Sequence, residues 1–207
     1  MNAIETMMQE HRLIERVLES LEAYARALYR GESVERSDLS RFVEFVRGYA
    51  DAKHHRKEEG VLFIVMIEHG FSRETCPLAV MYRDHDAGRT HVRHLATIAD
   101  KKAWSSDDKR ELVTKVRELV ALLREHIMKE DNVLYPLARA KLPASAMAEV
   151  EKRCAELERL QLEDGSQERL EKLGRELSSK YGGASAPADG SGSSPMSLPL
   201  SPTPLIS

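Results

Sequence analysis

The chain has 207 residues, 31% of them charged and 42% hydrophobic, with a formal net charge of −3. That is enough for one globular domain with extensions, and too little charge to imply a nucleic-acid or anionic-membrane partner. Two cysteines, Cys76 and Cys154, cannot build a disulfide framework, and no apolar run approaches the ~20 residues of a membrane span, so a cytoplasmic protein is expected.

Residues 2–29 carry helical periodicity through Ile4, Met7, Leu13, Ile14, Val17, Leu18 and Leu21, and Gly31 fits the end of that helix. Met7, Met8, Ile14 and Leu18 fall within about 60° of His11 around the axis, so His11 is expected to face the core. Ser37-Asp38 are good N-cap residues for a second helix, with Leu39, Phe42, Val43, Phe45, Val46 and Tyr49 on its apolar face and its end near His69-Gly70. Cys76-Pro77 opens a third helix, which runs past Met81, Tyr82, His85, Val92 and Leu95. A fourth spans about 107–141 and stops at Pro143.

Four long helices joined by short polar links predict an all-α fold, an up-down-up-down four-helix bundle over 1–142. Two charged helical segments around Gly165 form a C-terminal extension, 143–181, whose leucines could pack on the bundle or on a partner. Residues 182–207 are rich in Gly, Ser and Pro and predict a disordered tail.

One stretch occurs twice. His54-His55-Arg56-Lys57-Glu58-Glu59-Gly60-Val61-Leu62-Phe63 and His126-Ile127-Met128-Lys129-Glu130-Asp131-Asn132-Val133-Leu134-Tyr135 share His-x-x-x-Glu, an acidic residue, and Val-Leu-aromatic. On a helix, residues four apart differ by about 40° and share a face, so each copy aims an imidazole and a carboxylate at one point. His11 and His85 add one histidine from each remaining helix. Glutamate is seldom buried unless paired or coordinated, so the pattern predicts a metal site of His11, His54, Glu58, His85, His126 and Glu130.

The other histidines fit less well. His55 is turned about 100° from His54, and His91 and His94 about 240° and 180° from His85. Together with His69, at a helix end, they are expected to be solvated or to support the site from outside. Four imidazoles and two carboxylates exceed the needs of one tetrahedral zinc, and imidazoles argue against an all-oxygen calcium or magnesium site. A pair of iron or manganese ions suits this donor set.

With Glu10-His11, His54 and Glu58, Asp84-His85-Asp86, and His126 and Glu130 in place, the chain resembles the hemerythrin-like (HHE cation-binding) family over about residues 1–142. The resemblance implies a non-haem di-iron centre, two Fe ions bridged by an oxo or hydroxo group and by Glu58 and Glu130. It places His11 and His54 on one iron and His85 and His126 on the other. Oxygen-carrying members have a further histidine four residues after the third-helix ligand, where this chain has Arg89. Of about twelve ligand positions on two six-coordinate irons, about two then stay open to O2, H2O2 or NO, which favours redox chemistry over carriage. Glu15, one turn after His11, could fill a position or pair with Arg89.

The expected function is binding or reducing small oxidants, with a diatomic or peroxide ligand and an electron donor as partners. The competing reading is non-catalytic: an iron or oxygen sensor, an O2 store, or an iron donor for iron–sulfur cluster repair. Family members with the repair role often carry an extra N-terminal cysteine-containing segment, and this chain opens on its first helix, which weakens that role as an expectation.

Overall fold

A computed structural model describes residues 2–182. Among them are six helices and no strand: α1 (Ala3–Tyr29), α2 (residues 37–68), α3 (Leu78–Ala99), α4 (residues 106–141), α5 (Ala144–Glu163) and α6 (Ser166–Tyr181). The first four form the bundle. Each packs on the next, and α1 closes the ring against α4. The tail expected to be disordered lies, apart from Gly182, outside the described residues.

The helix starts are written locally. Asn2 caps α1 in a reciprocal box: its side chain accepts the Glu5 N–H at 3.0 Å, and the Glu5 carboxylate accepts the Asn2 N–H at 3.1 Å. Ser105 and Asp108 make the same box for α4. The start of α2 departs from expectation, because Arg36 precedes it without a side-chain cap. Asp38 is buried instead, accepting from Tyr181 Oη at 2.5 Å and lying 2.7 Å from Lys180 Nζ. A residue that looked like a cap thus fastens the end of α6 to the start of α2.

Two apolar clusters fill the bundle. One, toward one end, gathers Leu18, Leu21, Tyr24, Phe42, Phe45, Leu95, Leu112 and Val116, and α6 adds Leu170, Leu173 and Leu177. The other joins Ile4, Met7, Phe63, Met66, Leu78 and Leu134, and α5 adds Ala146, Val150 and Cys154. Between them lies a layer of buried polar residues, among them His11, His54, Glu58, His85, His126 and Glu130. The C-terminal helices therefore complete both halves of the core. Among the described residues no helix is long and apolar enough to cross a membrane.

Two helical glycines let α6 approach. A Cβ on Gly174 would stand 2.5 Å from the buried Phe45 ring, and one on Gly48 would stand 2.8 Å from Leu170 Cδ1. Alanine at an open helical site gains up to about 1 kcal/mol over glycine. At residue 174 the ring has no room to yield, so Gly174→Ala should instead destabilise the protein by about 1–3 kcal/mol, read from urea unfolding followed by circular dichroism. A gain in stability would show that α6 does not seat as described.

Candidate metal centre

The two repeats lie on α2 and α4 and bend their helices in the same way. From Glu58 to Leu62 and from Glu130 to Leu134 the backbone widens into π-helical turns, so that the N–H of Phe63 reaches Glu58 O and that of Tyr135 reaches Glu130 O. A longer π-helical run, Val46–His55, precedes the first repeat. Such turns concentrate at functional sites and rotate successive side chains by less than the α-helical step of about 100°.

The six expected residues meet at the centre of the bundle, each at most 1% exposed. They fall into two pairs of imidazoles. His11 Nε2 lies 2.8 Å from His54 Nε2, and His85 Nε2 lies 2.9 Å from His126 Nε2. Glu130 spans the pairs, with Oε2 3.2 Å from His11 Nε2 and Oε1 3.0 Å from His126 Nε2. Glu58 Oε2 stands between them as well, 3.6 Å from His54 Nε2 and 3.4 Å from His85 Nε2.

The outer ring nitrogens face carboxylates. His11 Nδ1 donates to Asp131 at 2.8 Å, His54 Nδ1 to Glu10 at 2.9 Å, and His85 Nδ1 to Glu59 at 2.6 Å. His126 Nδ1 lies 3.8 Å from Asp84 Oδ2, a looser approach. An Nδ1–H committed to a carboxylate leaves a lone pair on Nε2, pointed inward. At 2.8 Å the two lone pairs of His11 and His54 need a proton or a cation between them. Glu58 Oε2 and both oxygens of Glu130 are also buried without a hydrogen-bond partner. Orphaned buried carboxylate oxygens are costly, and beside four buried imidazoles their natural partner is a metal cation. The residues fit the metal that this donor set implies.

His55 departs from expectation. It is buried, its ring stacks on His85 at 3.7 Å, and one of its ring nitrogens groups with ligand atoms of Glu58, His85 and His126, all within 4.8 Å of one another. The other group is His11, His54, Glu58 and Glu130. The π-helical run ending at His55 narrows the angle between the two rings of the pair, and both are buried. Burial and the neighbouring His85 hold its pKa well below the ordinary value, so the ring is neutral, as a ligand must be.

The remaining residues also find places. Glu15 pairs with Arg12 at 3.0 Å, outside the site, and Arg89 binds Asp51 and Glu59 rather than Glu15. Through Glu59, Arg89 supports His85. His69 is exposed with Nδ1 on Val65 O, His91 is half-buried, and His94 is exposed. Glu59 and Asp131, the second acidic residue of each repeat, had no role assigned from the sequence. Each holds a histidine of a neighbouring helix, and their shared place in the two repeats was the signal.

A model of the Hemerythrin HHE cation binding domain matches residues 2–138. This chain belongs to that family. The hemerythrin HHE match covers all four bundle helices up to the last turn of α4 and stops before α5 and α6. Among curated proteins, the chain is 33% identical over 91 residues to "Iron-sulfur cluster repair protein YtfE" of Musicola paradisiaca, 42% of this chain and 40% of that protein. It is equally similar over 93 residues, 43% of the chain, to proteins of the same name from Salmonella paratyphi B and Salmonella newport, of which 42% is covered. The chain thus spans less than half the length of these relatives. No solved structure matches it.

The electrostatics make cation uptake a proton exchange. Burial lowers the His11 pKa, but Asp131 and Glu130 outweigh it and raise it to about 10. A cation that takes Nε2 must therefore expel a proton. The folded value exceeds the ordinary 6.5, so below pH 10 the metal-free protein keeps that proton, and each unit of rising pH should strengthen metal binding about tenfold per proton released. Competition titrations with Co(II) at pH 6.5 and 8.5 check this, and equal affinities would count against it. His55→Phe should keep the fold, since a ring of similar size can stack on His85, yet weaken metal binding by about tenfold.

Proposed function

We propose that this chain is a non-haem di-iron protein that binds and reduces small oxidants such as O2, H2O2 or NO. His11, His54, Glu58 and Glu130 would hold one iron, and His85, His126, Glu58 and Glu130 the other, with His55 within reach of the second. Iron in this site would supply one-electron redox chemistry and coordination positions open to an oxidant.

The observation that carries the reading is the donor set: two groups of buried His and Glu ligand atoms, each within 4.8 Å, sharing Glu58 at the centre of the bundle. A cavity of about 10 Å³ is lined by His11, His54, His55, His126 and Glu130 on its polar side and by Ile14, Ala50, Leu123 and Ile127 on its apolar side. That volume is no more than water-sized and lies among the ligand side chains, where a bound metal ion would sit. His55 and Leu123 also line a surface pocket of about 400 Å³ between α2, α3 and α4, which offers a small molecule a way in. The apolar wall keeps bulk water from the site, which strengthens electrostatic interactions inside it.

His55 weighs on the choice between reduction and reversible binding. As a fifth nitrogen donor it would take one of the two positions that four histidines leave open, moving the centre toward the donor count of an oxygen carrier. A second reading, an iron donor for cluster repair, is favoured by the names of the matched relatives.

Anaerobic loading of the purified protein with Fe(II) should give about two irons per chain. Glu58→Ala and Glu130→Ala should each bring the content below one, because each removes a carboxylate shared by both ions. An iron content unchanged by both substitutions would refute the assignment. Stopped-flow mixing of the loaded protein separates the roles. Rapid peroxide or NO consumption supports reduction, a stable reversible O2 adduct supports carriage, and iron transfer to a metal-free iron–sulfur protein supports repair.

A further inference from the structure

Three of the four carboxylates behind the ligand histidines balance their charge near the surface. Asp131 meets Arg12, Glu59 meets Arg89 and Asp84 meets Lys129, cations 49%, 32% and 26% exposed. Glu10 is different. Its Oε2 accepts from His54 Nδ1 at 2.9 Å, while its Oε1 accepts from Lys57 Nζ at 2.6 Å and lies 3.2 Å from Lys53 Nζ. Both lysine side chains are buried, 2% and 4% exposed. Each is held from the far side by a helix beyond the family match. Lys57 donates to Glu158 of α5 at 2.8 Å, and Lys53 reaches Glu171 of α6 at 3.5 Å.

A buried lysine is stable only where its charge is answered, and Glu10, Lys53 and Lys57, all buried, act on one another with little screening, while Glu158 and Glu171 reach them from the partly exposed rim. The chain of contacts runs from each C-terminal helix through an ammonium and Glu10 to the ring of His54. The more completely Lys57 and Lys53 neutralise Glu10, the less Glu10 polarises the His54 N–H, and the weaker a donor Nε2 becomes. The carboxylates of α5 and α6 set that degree of neutralisation by drawing the ammonium groups away from Glu10.

We propose that α5 and α6 are a working part of the metal centre: Glu158 and Glu171, acting through Lys57 and Lys53 on Glu10, set the donor strength of His54 and so the oxidation state preferred by a metal bound there. These are positioning residues, since none of them touches the metal ligands except through Glu10. The proposal rests on the iron reading above and adds a role for the C-terminal extension.

The test is a pair of substitutions with opposite consequences. Lys57→Met keeps the volume and removes the cation, so Glu10 bears more charge, His54 donates more strongly and the ferric state gains. Glu158→Gln keeps the shape and frees Lys57 to pull on Glu10, so the ferric state loses. Redox titration of the iron-loaded full chain should show the midpoint potential falling in the first variant and rising in the second. A tenfold change in the ratio of ferric to ferrous affinity corresponds to about 59 mV for a one-electron couple. A purely structural clamp would lower the melting temperature in both variants without opposite potential shifts. Shifts of the same sign, or no shift in either, overturn the proposal.

The metal-free protein gives an independent reading. The proton resonance of His54 Nδ1–H should move downfield in Lys57→Met and upfield in Glu158→Gln as its bond to Glu10 strengthens and weakens. Wild-type protein that takes up no iron would sink the di-iron reading alone, whereas an Nδ1–H resonance indifferent to both substitutions would sink the relay alone.

Discussion

Three carboxylate oxygens and four imidazole nitrogens, enclosed in one buried layer of the bundle, are the constraint on which the rest of the structure turns. Such a cluster is unfavourable to bury unless protons or a cation answer its lone pairs. The layer survives because apolar clusters close it above and below, and because the outward nitrogens are tied into further carboxylates. In the metal-free protein protons on the histidines answer the carboxylates, and an arriving cation takes their place.

The tie pattern runs round the bundle in one direction. Glu10 on α1 faces His54 on α2, Glu59 on α2 faces His85 on α3, Asp84 on α3 faces His126 on α4, and Asp131 on α4 returns to His11 on α1. Each acidic residue of an acid–His pair serves the next helix, and so does the second acid of each repeat. The chain is in effect two helix pairs of like design facing each other. A change in one helix's position is therefore felt by the histidine of its neighbour.

Much of this was legible in the sequence. Helical periodicity placed the four bundle helices and both C-terminal segments, and the repeated His-x-x-x-Glu with His11 and His85 pointed to residues that the structure brings together. What was not legible depended on departures from the ideal helix or on distant partners. His55 faces inward because the backbone before it is π-helical, and no feature of residues 46–55 announces that. Asp38 reads as a cap but bonds with residues more than 140 positions away. The lysines at 53 and 57 look like solvated charges until α5 and α6 cover them.

The two repeats end in different aromatic residues. Tyr135 stacks on His11 and places its hydroxyl 2.7 Å from Glu58 Oε1, donating to it. Phe63 stacks on His85 in the same way but has no hydroxyl to offer Glu130. One carboxylate is thus tied to a side-chain hydroxyl and the other is not. Glu58 spends one oxygen on that bond, while both oxygens of Glu130 stay turned toward the histidines of the two pairs. A single oxygen atom, present in Tyr135 and missing from Phe63, makes an otherwise paired design asymmetric at its centre.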